Sequence, residues 1–313
     1  MVMKEVAMAR VGVFWISVFF LYLSPVCSFP HAFAAEGRVL NFGRVFDDPV
    51  RAIRDRQEFV DYLAKKLTPA GITGGKIVVV DKMHLLVQAL KDGKVDLFHD
   101  SVAPTLVVSK ASGAIPILRQ WKYGEAEYAG IIVVKKNAGI NTLADLKGRI
   151  IAFDEPHSTS TSILPRMFLE EKKLKLMEVK LHGRVNPDAI GYIYGADGSS
   201  VNVLVTGKAD AAVTIHRDFD RLKPEIRDSL KVLGTTIAAP RNLVAIRRDL
   251  EPRLAKDLKE ILFNMDKDPE GQEVLKRSQN TTKFDEISPE ALGQIKQIEK
   301  YVFSALGKEV VSW

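Results

Sequence analysis

From residue 37 onward the chain alternates short apolar runs with longer stretches in which apolar residues recur every three or four positions. The runs at 39–42, 76–80 and 95–98 predict strands, and the segments between them, 49–67 and 83–91, carry helical spacing. In the first of these, Ile53, Phe59, Val60, Leu63 and Leu67 fall on one stripe. That order is a βαβαβ unit, the pattern of an α/β protein with largely parallel sheets. A long strand at 127–135 leads through Asn137-Ala138-Gly139 into a second, similar series. This series comprises a helical turn at 142–147, a strand at 150–153, a helix after Ser162, a strand near 179–181, a helix at 199–206 and a strand at 209–213. Strands at 231–233 and 242–246 follow, then helices at 251–265, 269–278 and 288–306, which predicts a helical C-terminal end without a second sheet of its own.

The simplest architecture for this order is two α/β lobes. Residues 36–135 together with 240–313 are expected to form lobe 1, and residues 136–239 an inserted lobe 2, so that two chain crossings act as the hinge. Ligands of open α/β sheets sit outside the carboxyl ends of the strands, here in a cleft that closes between the lobes.

The first 34 residues break the pattern. Lys4 and Arg10 precede an apolar run over 11–23, and Ala32-Phe33-Ala34 supplies a small-residue site, which reads as a cleaved secretory signal peptide and predicts a periplasmic location. The single cysteine, Cys27, falls inside that segment, so the exported chain is expected to have neither a disulfide nor a thiolate nucleophile. With 46% hydrophobic and 27% charged residues over 313 positions, the composition is that of a globular protein long enough for two domains. The net charge of +6 falls to +5 once Lys4, Glu5 and Arg10 leave. This excess suits an anionic small ligand, whereas the dispersed cations form no basic stripe interleaved with aromatics, which argues against nucleic acid.

The chemistry concentrates in the segment from Phe153 to Arg166, FDEPHSTSTSILPR. A predicted strand ends at Phe153, Pro156 turns the chain, and five consecutive Ser/Thr residues, Ser158 to Ser162, open a helix that Pro165 suits in its first turn. Such hydroxyls either cap the helix's orphan N–H groups or, with those N–H groups and the helix dipole, cradle an oxyanion. One side chain satisfies a cap, so the remaining hydroxyls are surplus to capping.

Several segments in this order resemble the exported substrate-binding proteins of ABC importers for phosphonate, phosphite and phosphate. They are Gly93-Lys94-Val95-Asp96, Tyr128 ahead of 131–134, Leu143 to Gly148, Pro156-x-Ser158-Thr159-Ser160 with Pro165 beyond it, and Gly207-Lys208-Ala209-Asp210, and the resemblance spans about 39–244. It implies a two-lobed type 2 periplasmic binding protein fold, α/β in class, with the ligand cleft between the lobes. It further implies that Ser158, Thr159 and Ser160 bind the oxygens of the ligand and that Tyr128 is the pocket tyrosine. Other positions depart from the family pattern. Met83 stands where aminophosphonate binders place a tyrosine, about Asp197 where they place a histidine, and Thr161 where a glycine is usual. The acidic residue that would hold a ligand amine is replaced by His216-Arg217, a pair that favours a second anionic group over a cation.

Phe98-His99-Asp100-Ser101 lies at another strand carboxyl end, so His99, Asp100 and Ser101 are within reach of a ligand, with loop capping an equal role for Asp100 and Ser101. His157 adjoins the hydroxyl cluster. Trp121 and Tyr123 line the cleft mouth or pack between the lobes. There is no G-x-S-x-G elbow, Walker loop, H-E-x-x-H or Cys/His metal spacing, so an enzyme, a resident cofactor and a metal site are not expected. The expected function is capture of a small oxyanion by a monomeric binding protein that delivers it to a permease in the inner membrane. The alternative is an exported sensing module that docks a membrane sensor kinase or cyclase.

Overall fold

Two six-stranded sheets carry the chain. The computed structural model describes residues 37–181, 183–195 and 198–307, so the expected signal segment, Cys27 and Asp197 lie outside the described residues. The first sheet contains β1 (Arg38–Val45), β2 (Ile72–Val80), β3 (Leu97–Asp100), β4 (Ile115–Lys122), β11 (Asn242–Ile246) and β12 (Thr281–Asp285), in the order β12-β4-β11-β3-β1-β2. The second contains β5 (Glu127–Lys135), β6 (Ile150–Phe153), β7 (Lys175–Glu178), β8 (Ala189–Tyr194), β9 (Ala211–Ile215) and β10 (Leu230–Pro240), in the order β10-β5-β9-β6-β8-β7.

Strand direction decides what reaches the cleft. β1 runs parallel to β3, β11 is antiparallel to β3, and β4 is antiparallel to β11, so the carboxyl ends of β1, β3 and β4 share one edge with the start of β11. In the second sheet β6, β8 and β9 run parallel, and β5 opposes β9. The start of β5 therefore lies at the same edge as the ends of β6 and β9.

The helices cover both sheets. α1 (Pro49–Arg54) and α2 (Gln57–Lys66) follow β1, α3 (Met83–Lys91) follows β2 and α4 (Val102–Ser112) follows β3. In the second half come α5 (Leu164–Glu171), α6 (Ser200–Val205), α7 (His216–Asp220) and α8 (Pro224–Arg227), and α9 (Pro252–Asn264), α10 (Pro269–Arg277) and α11 (Pro289–Tyr301) complete the chain. Phe59, Val60 and Leu63 of α2 pack against Leu40 and Phe42 of β1 in one apolar cluster. The expected single helix over 49–67 is broken at Arg56, whose backbone (φ −133°, ψ −15°) is not helical. The break rotates α1 away from the stripe, which leaves Ile53 42% exposed.

Three further elements differ from the sequence reading. The strand β5, expected to close lobe 1, pairs with β9 and β10 in the second sheet, so the chain crosses between the sheets over residues 123–126. It returns at Arg241, between β10 and β11. The C-terminal part is not wholly helical, because β12 adds an edge strand to the first sheet against β4. The strand expected near 179–181 is instead β7, just upstream, beside β8.

An apolar seam joins the two halves below the cleft. Ile163, Leu164 and Met167, at and after the hydroxyl turn, share a buried cluster with Val102, Ala103 and Leu106 of α4 and Ile298 of α11.

Candidate functional site

The facing carboxyl edges enclose a cavity of about 530 Å³. One wall is the turn after β6. Ser158, Ser160 and Thr161 line it, and residues Thr159–Ile163 form a wide helical turn that runs directly into α5 with Pro165 in its first turn. Among the described residues no side chain caps this helix. The hydroxyls have other uses: Ser158 Oγ and Thr161 Oγ1 share a hydrogen bond of 2.7 Å, and Ser162 Oγ donates to the carbonyls of Glu155 and Asp154 at 2.7 and 3.2 Å. Capping, one of the two readings of the hydroxyl cluster, is therefore not its role here.

Thr159 behaves differently from its neighbours. It is fully buried, does not line the cavity, and its Oγ1 accepts the Ala103 N–H of α4 at 2.9 Å. Ser158 precedes the helical turn in extended backbone (φ −63°, ψ 121°), so it and Ser160 reach the cavity while Thr159, the first residue of the turn, points into the seam with the first half. Its hydroxyl joins the two halves of the molecule, a role that local sequence does not disclose.

Tyr128, near the start of β5, lines the opposite side of the grip. Burial pushes its phenol up to about 12, against the opposing influence of the Ser160 hydroxyl and then of Arg241. It is thus a neutral hydroxyl at physiological pH. Two residues along β5, Gly130 runs so close to the turn that a Cβ there would lie 2.1 Å from the Ser160 carbonyl oxygen. Only glycine permits this approach.

The remaining expected residues divide. His157 lines the cavity with its Nε2 3.0 Å from Glu155 Oε2, a contact that holds the Glu155 carboxyl below its ordinary value. Asp100 and Ser101 also line it, and Asp100 accepts the Ser101 N–H at 2.6 Å, so the aspartate does face the cleft while fixing its own loop. Burial raises the Asp100 carboxyl, and His157 is the largest influence in the other direction. Arg217 lines the cavity, but His216 is exposed and does not, because Ile215 and Arg217 take the inward positions where β9 passes into α7. His99 does not reach the cavity either: its ring packs edge-on to Phe42 and parallel to Phe59, at 5.2 and 6.2 Å, and burial keeps it neutral. Met83 is buried in the core.

Lys122 and Arg241 were not singled out from the sequence, yet both line the cavity. They sit at the two crossings. Between β4 and β5, Tyr123 (φ 58°) and Gly124 (φ 80°) form a left-handed turn with Lys122 and Glu125 paired across it. Arg241, at the return crossing, donates its backbone N–H to the Ala126 carbonyl and binds the Glu125 carboxylate. Arg217 lies 3.7 Å over the Tyr123 ring, and Arg241 5.2 Å over that of Tyr128. Tyr123 therefore orients Arg217, while Trp121 is covered by Lys283 at 4.1 Å outside the cavity.

A family model for periplasmic substrate-binding proteins of phosphonate ABC transporters matches residues 46–292. Among solved structures, a Xanthomonas citri protein bound to ATP is similar with a TM-score of 0.79 at 20% identity, covering 87% of this chain and 98% of that one. PhnD1 from Prochlorococcus marinus in complex with methylphosphonate gives 0.63 at 18% identity, covering 88% and 100%. A binding component of a phosphonate ABC transporter from Pseudomonas aeruginosa gives 0.63 at 17%, covering 84% and 86%. These likenesses identify the fold as the two-lobed, α/β fold of type 2 periplasmic binding proteins.

Proposed function

The chain belongs to the family of periplasmic substrate-binding proteins of phosphonate ABC transporters, and on that premise we propose that it captures a small phosphorus oxyanion, of the phosphonate, phosphite or phosphate kind, for an ABC importer. The observation that carries this reading is the hydroxyl turn after β6, whose Ser158 and Ser160 line the cavity while, among the described residues, no side chain caps its helix. A tetrahedral oxyanion placed there accepts hydrogen bonds from both hydroxyls and from the first N–H groups of the helical turn, with the helix dipole adding to the attraction. Tyr128, held neutral, supplies a further hydroxyl from the facing strand.

Arg217, fixed against Tyr123, takes the place where an amine-binding carboxylate would stand and selects against a cationic substituent on the ligand. The lobes close about the crossings at 123–126 and 241, and the closed form docks a permease in the inner membrane. No bond is made or broken. In this reading the segment 1–34 directs export and is cleaved. Methylphosphonate in the Prochlorococcus protein and ATP in the Xanthomonas protein both present a tetrahedral phosphorus oxyanion, as this site requires.

Calorimetric titration with phosphate, phosphite, methylphosphonate and aminoethylphosphonate tests the proposal. A hydrogen bond to a charged group contributes about 1.5–3 kcal/mol, so Ser160→Ala is expected to weaken the best ligand roughly ten- to hundredfold. Unchanged affinity in both Ser160→Ala and Ser158→Ala would overturn the assignment of the anchor.

A further inference from the structure

The first sheet's edge of the cleft holds more positive charge than a single small oxyanion calls for. Arg44 lies near the carboxyl end of β1, Lys122 ends β4, and Arg56 sits at the break between α1 and α2, just beyond β1. Those strand ends share one edge, opposite the hydroxyl turn.

Arg56 is the most telling of the three. It is 2% exposed, yet among the described residues no carboxylate lies within 4.0 Å of its guanidinium, and its Nε and Nη1 have no hydrogen-bond partner. Arg44 Nε is likewise unpartnered, and Arg44 has no carboxylate within that distance either. An uncompensated buried charge costs several kcal/mol, so a fold that retains one is missing a counter-ion. Asp100 and Asp55 offset part of this charge from a distance, but neither pairs with the Arg44 or Arg56 guanidinium, and Asp100 accepts the Ser101 N–H instead. The cations also repel one another. Burial first and Arg44 second bring Arg56 down to about 9, and burial followed by Arg56, Arg241 and Arg217 brings Lys122 down to about 8. Lys122 and Asp100 line the cavity, with Arg56 and Arg44 close enough behind them to act on their charges. At about 530 Å³ the cavity lies within the roughly 300–1,000 Å³ typical of sites for larger organic ligands.

We propose that Lys122, which lines the cavity, backed by Arg44 and Arg56, which do not, forms a second anion subsite facing the hydroxyl turn, and that the ligand is a two-headed anion: a phosphonate or phosphate carrying a second anionic group that spans the cleft. This rests on the hydroxyl turn as the first anchor. The phosphorus oxyanion binds at Ser158 and Ser160, and the second charge meets Lys122, whose ammonium in the free protein has only the neutral Gln279 amide oxygen at 3.1 Å, with the unpaired Arg56 and Arg44 behind it. Because each end is held by a different sheet, such a ligand bridges the two lobes and stabilises their closed arrangement.

The test is calorimetric titration of the protein with methylphosphonate, phosphonoacetate and pyrophosphate, in wild type, Arg56→Met, Lys122→Gln, Ser158→Ala and Ser160→Ala. The two-headed probes are expected to bind about tenfold or more tightly than methylphosphonate, the gain from a charge-assisted contact. Arg56→Met should bring that ratio to about one, leave methylphosphonate within about threefold, and unfold at the same or a higher temperature without ligand, since it removes an unpaired buried charge. If Arg56→Met does not fold, Lys122→Gln must collapse the ratio in its place. Equal affinities in the wild type, no binding of either two-headed probe, or a ratio that survives both cation substitutions would overturn the proposal. The serine variants separate the two readings: if Ser160→Ala and Ser158→Ala both leave methylphosphonate binding intact the anchor is wrong, whatever the ratio shows.

Discussion

Gly130→Ala perturbs the anchor without touching any group that would contact the ligand. A Cβ at Gly130 would stand 2.1 Å from the Ser160 carbonyl oxygen and 3.2 Å from Pro165 Cγ. Non-bonded heavy atoms settle near 3.5 Å, so β5 and the hydroxyl turn must separate by about 1.4 Å. The obstacle is backbone at the head of a continuous helical segment, so neither partner yields by a simple rotamer change. Overpacking of this kind costs about 1–3 kcal/mol of stability. The same displacement moves Ser160 away from Tyr128, across the space where the oxyanion would sit. Loss of one hydrogen bond to the anion then weakens methylphosphonate roughly ten- to hundredfold. Urea unfolding and calorimetric titration on the same preparation measure both effects. Gly293→Ala is the control: Gly293 lies within α11 with nothing near its would-be Cβ, and alanine there should stabilise by about 0.5–1 kcal/mol and leave binding unchanged. If Gly130→Ala retained wild-type affinity while losing stability, the position of the turn would not govern binding and the reasoning would be refuted.

Other expectations follow from the same geometry. Lys122 titrates near 8 in the folded protein against an ordinary value of 10.5. The unfolded chain therefore binds the proton more tightly between those values, and stability should rise with pH across that window and be lower below it. Lys122→Met should reduce the rise, the remainder above pH 9 belonging to Arg56, and stabilise the ligand-free protein at pH 7 by about 1–3 kcal/mol, as read by urea titrations at pH 7 and pH 10; a destabilised variant at pH 7 would contradict the assigned burial. Leu164→Ala, in the apolar seam where the side chain is fully buried, should cost about 2–5 kcal/mol. A loss below about 1 kcal/mol would show that the seam relaxes freely. With the phosphonate at the hydroxyl turn and the ammonium directed at Arg217, whose guanidinium already takes up the lining Asp218 at 2.8 Å, aminoethylphosphonate should bind about tenfold more weakly than methylphosphonate; placement of the ammonium on Asp100, Asp154 or Glu155 would reverse that order. Stronger binding in the same calorimetric assay would overturn the role given to Arg217.

Much of the architecture was legible because the parallel strands and amphipathic helices repeat in order. What escaped had a physical reason. α4 buries Val102, Ala103, Thr105, Leu106 and Val108 on several sides, so no polar face marks its period. β4 holds Pro116 and three charged or amide side chains, and β12 is a lone edge strand set between helices. The hydroxyl turn and Tyr128 were legible because their chemistry is local and stands at strand ends. Arg56, Lys122 and Arg241 lie far apart in sequence and meet only through the order of the strands. For Arg56 there was one signal, a charged residue interrupting an apolar stripe that otherwise runs from Ile53 to Leu67. Gly124 offered another, since glycine suits the left-handed turn that marks the first crossing. Thr159 shows the opposite case: the resemblance implies a ligand-binding hydroxyl, whereas its Oγ1 accepts the Ala103 N–H in the seam.

Whether the hydroxyl turn holds the ligand's phosphorus oxyanion is decided by a crystal structure of the protein with its tightest-binding phosphonate. Phosphorus-bound oxygens are expected at about 2.5–3.2 Å from Ser158 Oγ, Ser160 Oγ and the Tyr128 hydroxyl. An ordered ligand elsewhere in the cavity, with those hydroxyls untouched, would contradict that assignment.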